Sequence, residues 1–435
     1  MRDRSGAAVE SGTSAMALAL RTKRWLGVSA VLLALAGTSI IVAARGAGTG
    51  KNVKATGSTI QVRSLKGFTE VGILDGAAYR IDVPADWNHK LVIYYHGYAQ
   101  HLGSFHPRDP LPREQAPLLN RHFAIAQSAY SQPGWALPQA FPETEALRQY
   151  FVQKIGQPLE TYVAGRSMGG ALVMVTLELN PRPYRGGLDL CGAVGPSSEE
   201  FDRRFGQRAA FDAFFPGLMP PLVPAPAHYE ANRAERERIA AALRRNPQGA
   251  AAMRTLVGLH NDAELASDMA YFTFVIAEMQ RRAGANPFGN DHLIYDSLPS
   301  RSAANFLNKH VRRYSADARA RAYLLRHYTP SGRLGRPMLA IHTAYDPVVP
   351  VSQLAGYARR VEAAGFSSNL VQQYAPREGH CNLTPDQVGL AFDELVRWTH
   401  GGSRPLPGLL QEPERGPALR QETLNAAPPP RVLPR

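Results

Sequence analysis

The chain has 435 residues, 44% of them hydrophobic, and a formal net charge of +13. This length and apolar content exclude a disordered polymer and allow one large core with an insertion. The charge does not mark a nucleic-acid partner: the arginines are scattered and mixed with acids, as in "NRAERERIAAALRR" at 232–245, which reads as a solvated helix face.

Residues 1–57 read as a leader plus linker. Arg21 to Arg24 form a basic front, a charge-free apolar run covers 25–44, and small residues precede Arg45. The run suits a signal peptide and is also long enough to cross a hydrocarbon core of about 30 Å. The chain is therefore expected to be exported, periplasmic or extracellular, with its leader either cleaved or kept as an anchor in the cytoplasmic membrane. Only two cysteines occur, Cys191 and Cys381. In an exported protein they are candidates for a disulfide; the alternative is two buried thiols acting as small hydrophobes.

Beyond the linker, "TIQVRSLKGF" and "AAYRIDVPADW" alternate like antiparallel strands. "KLVIYYHGYAQ" is a solid apolar run, "HFAIAQSAY" a short strand, and "ETEALRQYFVQKIG" an amphipathic helix. A strand and a helix meet in "TYVAGRSMGGALVMVTLEL", and "GGLDLCGAVGPSS", "RPMLAIHTAYDPVVP" and "NLVQQYAPREGHC" supply three more strands. "TPDQVGLAFDELVRWTHGG" closes the core as a helix opening on Thr384-Pro385. This alternation predicts a mostly parallel sheet with helices on both faces, its core spanning 58–196 and 337–402. Residues 197–336 show helical patterns without a convincing strand and read as a helical cap over the carboxyl edge of the strands, where such sheets bind ligands. Residues 403–435 are proline-rich and are expected to be disordered.

Gly165-Arg166-Ser167-Met168-Gly169 fits G-x-S-x-G, a turn that holds a serine on a strained strand-to-helix corner. Its glycines let helix and strand pass where a Cβ would clash. The Met168 N–H would aim at the same spot from the first helical turn, so an oxyanion there meets both a donor and the positive end of the helix dipole. A serine needs a base, and the base an orienting acid. Asp346 follows the strand "MLAIHTAY" and His380 follows "LVQQY", so all three side chains would converge on one edge of the sheet. The second oxyanion donor is expected after "KLVIYY", at the Tyr98 backbone N–H, with the Tyr98 hydroxyl as the alternative. The spacing of His96, His101 and His106 matches no zinc pattern, so neither metal nor other cofactor is expected.

Over roughly residues 60–400 the chain resembles the α/β-hydrolase fold, with "HGY", "GRSMGG", "DPVVP" and "GHC" in the family's order. The resemblance extends loosely to exported bacterial esterases and prolyl-oligopeptidase-like enzymes. It implies an eight-stranded, mostly parallel sheet, a helical cap after the sixth strand, and a triad of Ser167 as nucleophile, Asp346 as acid and His380 as base. In tannase and feruloyl-esterase-type relatives a cysteine stands beside the catalytic histidine, as Cys381 does here. There its partner precedes the nucleophile, a place held here by Arg166, which leaves Cys191 as the partner for a disulfide that would pin the histidine loop.

The function expected is cleavage of carboxylic esters through an acyl-enzyme, with a small-molecule ester as substrate. Two rivals stand beside it: a peptidase taking short peptides, and a non-catalytic, surface-anchored binding module. Phe201, Phe205, Phe211, Phe214, Phe215 and Met219, with a second apolar helix in "ELASDMAYFTFVIAEM" at 264–279, read either as an apolar roof over an acyl or aryl pocket or as packing of the cap onto the sheet, the commoner use of such stripes. The loop "NPFGNDHLIYDSLPS" is expected at the pocket rim.

Overall fold

The computed structural model describes Ala55 and residues 59–410. The leader with its apolar run at 25–44, Ala55 apart, and the end of the chain beyond 410 lie outside the described residues. β1 (Ile60–Ser64), β2 (Gly67–Leu74) and β3 (Ala77–Pro84) form an antiparallel meander. Strands and helices then alternate: β4 (Lys90–Tyr95), α1 (Ala116–Leu119), β5 (Ala124–Ser128), α2 (Leu137–Lys154), β6 (Glu160–Arg166), α3 (Met168–Leu179) and β7 (Gly187–Leu190). Next come six helices, α4 (Ser197–Phe214), α5 (Arg233–Arg245), α6 (Pro247–Val257), α7 (Asp262–Ala283), α8 (Arg301–His310) and α9 (Ala318–Arg326). The chain returns through β8 (Met338–Tyr345), α10 (Ser352–Ala363), β9 (Leu370–Glu378), α11 (Pro385–Thr399) and β10 (Gly408–Leu409).

Among the described residues the strands make one sheet in the order β1-β2-β3-β5-β4-β6-β7-β8-β9-β10. Every pairing from β5 to β10 is parallel. A parallel sheet is covered on both faces, and β4 shows why its sequence is apolar throughout. Leu91, Ile93 and Tyr95 enter the core shared with α2, α3 and the inserted helices, while Val92 and Tyr94 enter the opposite core against α1 and α11. The chain leaves β4 to lay β5 on one side, then crosses back through α2 to lay β6 on the other. The carboxyl ends of β4 and β6 therefore flank the point where the winding reverses, the usual ligand position in such sheets. Strand order and winding are those of the α/β-hydrolase fold.

Three expectations are corrected. "TIQVRSLKGF" is not one strand but a hairpin: β1 and β2 turn at Leu65-Lys66, with Ser64 opposite Gly67 at φ 124° and the Lys66 N–H donating to Ser64 Oγ at 3.1 Å. This extra strand and β10 give the sheet ten strands where eight were expected, and the inserted helices follow the seventh strand in chain order, not the sixth. Order also continues past residue 402. β10 pairs with β9 through Gly408–Gln373 and Leu409–Tyr374, the Leu410 N–H donates to the Tyr374 carbonyl, and Leu410 is buried. Burying that leucine on the sheet edge is what holds residues 403–410.

Among the described residues no helix is long and apolar enough to cross a membrane. Helix starts are set by side-chain caps that satisfy otherwise orphan N–H groups. Asn232, Asn246, Asn261, Ser300 and Asp317 cap α5 to α9, and Thr384 with Gln387 forms a capping box on α11.

Candidate active site

Ser167 stands between β6 and α3 at φ 57°, ψ −122°. A non-glycine residue there is strained, and the strain persists only where the surroundings hold it. They do: the Ser167 N–H donates to the Leu190 carbonyl of β7, and the Ser167 carbonyl accepts from the amides of Gly170 and Ala171. The flanking glycines are needed sterically. A Cβ on Gly165 would stand 2.4 Å from the Gly169 carbonyl oxygen, and one on Gly169 would stand 2.1 Å from that of Tyr95. Any side chain at either position would push α3 off β4 and β6 and move the serine.

His380 follows β9 and Asp346 follows β8. His380 Nε2 lies 2.8 Å from Ser167 Oγ, and His380 Nδ1 lies 2.8 Å from Asp346 Oδ2. Asp346 is an acceptor only when ionised, so His380 carries its proton on Nδ1 and presents the Nε2 lone pair to the serine. The second Asp346 oxygen accepts the backbone amides of Val348 and Val349 at 2.8 and 2.9 Å. Burial alone would raise this carboxyl; the hydrogen bond and charge of His380, with the Val349 amide and His342, outweigh it and hold the pKa below its ordinary value. The stability this ionised carboxylate supplies is present above its ordinary pKa and is lost only as pH falls through the lowered one.

Cys191 and Cys381 are joined in a disulfide with Cα atoms 5.5 Å apart. The bond ties the residue after His380 to the end of β7, one residue beyond the carbonyl that holds the Ser167 amide. The histidine loop and the serine corner are thus fastened to one strand.

The chain after β4 crosses directly above the serine, where a Cβ on Gly97 would stand 3.2 Å from Ser167 Cβ. The Tyr98 ring packs edge-on against Tyr271 and Phe274 of α7, with centroids 5.7 and 6.4 Å away. Burial pushes the Tyr98 phenol well up, and the Glu278 charge adds to the rise. The hydroxyl is buried with no hydrogen-bond partner among the described residues. The Met168 N–H is in the first turn of α3 and has no partner within the helix.

Two spaces open on the serine. One is a cavity of ≈ 50 Å³ walled by Trp135, Met168, Phe201, Phe272, Val275 and Val349. The other is a cleft of ≈ 630 Å³ reaching past His380 to Glu114, Gln115, Gln127 and Arg166. Ser167, Tyr98, Tyr271 and Val348 line both.

Of the aromatic stripe in α4 and just after it, only Phe201 reaches the cavity, whereas the second apolar helix brings Tyr271, Phe272 and Val275 to it. Phe205, Phe211, Phe215 and Met219 are buried in the core, so that stripe is chiefly packing. The loop at 286–300 lines neither space. It is drawn onto α4 instead, where the Gly289 N–H donates to Asp202 Oδ1 and the Tyr295 hydroxyl donates to the Gly206 carbonyl. Sequence reading passed over Trp135, Arg204 and His342. Arg204 of α4 donates to the carbonyl oxygens of Val348 at 2.6 Å and Pro347 at 3.3 Å, in the loop that carries Asp346. His342 on β8 stands with Nε2 3.9 Å from Asp346 Oδ2, and burial lowers its pKa. None of the three has a sequence pattern that marks it, and Trp135 and Arg204 act through residues distant in the chain. No group of three or more histidines, cysteines or carboxylates placed to hold a metal occurs among the described residues.

No protein-family model matches the chain, and no curated protein matches it in sequence. Solved structures resemble it distantly. Est1E from Butyrivibrio proteoclasticus, bound to ferulic acid, shares 15% identity over 75% of this chain and 97% of its own, at a TM-score of 0.39. Candida antarctica lipase A shares 13% identity over 82% of this chain and 84% of its own, at 0.44. Feruloyl esterase B from Aspergillus oryzae shares 12% over 83% and 90%, at 0.43.

Proposed function

We propose that the protein is a serine hydrolase that cleaves carboxylic esters through an acyl-enzyme. The observation that carries this reading is the unbroken chain of 2.8 Å contacts from Ser167 Oγ to His380 to Asp346, at the point where the sheet's winding reverses. His380 Nε2 takes the Ser167 proton as Oγ attacks the substrate carbonyl, and Asp346 holds the imidazolium that forms. The Met168 and Tyr98 amides face the oxyanion; loss of one such donor typically raises the barrier by about 2.7–4 kcal/mol. His380 then passes its proton to the departing alkoxide, releasing the alcohol. In the second half His380 takes a proton from water, hydroxide attacks the acyl carbonyl, and the proton returns to Ser167 as the acid leaves.

Export remains part of the proposal. Its support is the leader-like pattern at 21–45 and a disulfide of the kind that persists in oxidising compartments.

A fluorophosphonate probe tests the nucleophile: wild type is expected to be labelled at Ser167 and Ser167→Ala to remain unlabelled. Equal labelling of both would remove the assignment. Turnover of p-nitrophenyl esters without turnover of aminoacyl or prolyl anilides separates an esterase from a peptidase, and turnover of neither would favour a binding module.

A further inference from the structure

We infer that the ester cleaved joins a short, apolar acyl group to a bulky, neutral, hydroxyl-rich alcohol. The inference rests on the hydrolase reading above and concerns which half of the substrate lies in which space. His380 must hand its proton to the departing oxygen, so the leaving group lies on the histidine side of Ser167. His380 lines the large cleft and does not line the small cavity. The alcohol therefore occupies the cleft, and the acyl chain turns the other way, past Met168, into the cavity.

Size and lining decide the acyl group. The cavity measures ≈ 50 Å³. A single water needs about 10–15 Å³ by the same measure, so there is room for only about three to five water-sized groups. Its walls at Trp135, Phe201, Phe272 and Val275 are packed core residues that do not yield without cost. Of its polar lining, Glu200 is paired with Arg203 and Arg204, while Gln353 accepts from the Gly195 N–H. Acetyl to butyryl groups fit; an octanoyl chain meets α7.

The cleft is different in kind. At ≈ 630 Å³ it is of the size that holds a drug-sized molecule, about 300–1,000 Å³. Gln115 and Gln127 bond each other reciprocally, at 2.9 and 3.0 Å, which leaves each amide a further N–H and a further lone pair. Arg166 and Glu114 stand 3.5 Å apart and offset each other's charge. His96 donates from Nδ1 to the Gly97 carbonyl, stacks on Tyr130 with centroids 3.9 Å apart, and is kept neutral by burial. Beside apolar walls at Phe105, Pro112, Ala129 and Val348, which suit the carbon face of such an alcohol, the cleft has donors and acceptors but little net charge. An alkyl alcohol would strip water from these polar groups and replace nothing, whereas several hydroxyls would satisfy them. A charged leaving group would meet the Arg166–Glu114 pair, whose charges offset each other.

The full-length protein tests this with two substrate series. With a constant p-nitrophenyl leaving group, kcat/KM is expected to fall about tenfold or more from butyrate to octanoate, and Val275→Ala to raise the octanoate-to-acetate ratio about fivefold. With a constant acetyl group, a monoacetylated methyl glucoside is expected to exceed ethyl acetate about tenfold in kcat/KM, and Gln127→Leu to cut that ratio about fivefold. A flat or rising chain-length profile, or equal turnover of the two acetates by wild type, overturns the inference. If Ser167 is labelled while both ratios stay flat, the substrate assignment falls and the nucleophile stands. If Ser167 is not labelled, both fall.

Discussion

Within the strands β4, β6 and β7 the buried side chains are hydrophobic, Thr161 and Asp189 apart, whereas the helical insertion buries Arg204, Arg208, Asp202, Asp268 and Gln280 among its rings. The two regions solve different problems. Neighbouring strands are already aligned by main-chain ladders, so alternation of apolar side chains suffices to pack them. Inserted helices have no ladder to register them on the sheet, and directional contacts do that work instead. Arg204 is the clearest case: it donates to Asp268 of α7 at 2.8 Å, lies 3.9 Å over the Phe272 ring, and donates to two carbonyls of the Asp346 loop. Apolar packing in the sheet confers stability, while polar contacts in the insertion also set the position of the acid.

The largest effect is expected where the two regions meet. Asp346→Asn should leave the fold intact and lower kcat about 10⁴-fold, because the His380 tautomer is no longer held; steady-state ester hydrolysis checks it. Next comes Arg204→Met, which strands Asp268 without its partner and should cost about 3–5 kcal/mol in urea unfolding. The double variant Arg204→Met/Asp268→Leu should recover most of that stability, since a buried ion pair is often replaceable by apolar groups. Its kcat should stay low, because the carbonyls of Pro347 and Val348 still lack their donor. Leu395→Ala, in the apolar core of α11, provides the contrast: a loss of about 2–5 kcal/mol with kcat retained. Equal kcat in the double variant and wild type would show that the polar contacts of the insertion bear on stability alone.

Replacing Cys191 and Cys381 by alanine should cost about 2–5 kcal/mol, read as the difference between the variant and oxidised wild type in urea. The bond closes a sequence separation of 190 residues that contains the whole insertion, so its loss frees both regions at once. A pH-dependent effect concerns Asp189, a carboxyl buried in β7. It lies fully buried beneath α3 with no well-formed hydrogen bond, and burial, only partly offset by the Gly192 amide, pushes its pKa from 3.8 up to about 7. Below 3.8 both folded and unfolded chains hold the proton, and the residue contributes nothing. Between 3.8 and about 7 the unfolded chain releases it while the folded chain keeps it, so stability falls as pH rises, by at most about 1.4 kcal/mol per pH unit. Above about 7 the penalty is constant. Asp189→Asn should flatten that slope in thermal unfolding across pH 4 to 8, an interval of about four units around the shifted value.

Much of the site was legible because its signals are local. A glycine-flanked serine at a strand-to-helix junction, an acid ending one strand and a histidine ending the next need only strand direction to bring them together. The structure sets Ser167, His380 and Asp346 within hydrogen-bonding distance. Cys191 was named from its neighbouring strand, and the disulfide lies there. What stayed hidden was either too short to show a period or entirely long-range. The two-residue turn at Leu65-Lys66 interrupts an alternation that reads equally well as one strand, and β10 is only two residues long. Trp135 and Tyr271 are separated by more than a hundred residues, yet both wall the cavity at Ser167.

By itself the sequence determined the alternation of strands and helices in the parallel core, the strained serine corner and the chain order of its partners, because each follows from residue type and period within a few positions. Only the tertiary structure decided the crossing that puts β4 beside both β5 and β6, the hold of Arg204 on the acid loop, and the unequal spaces on either side of Ser167. Those depend on how distant surfaces pack. Packing is a property of side-chain volumes and contact directions in space, which no local pattern along the chain records.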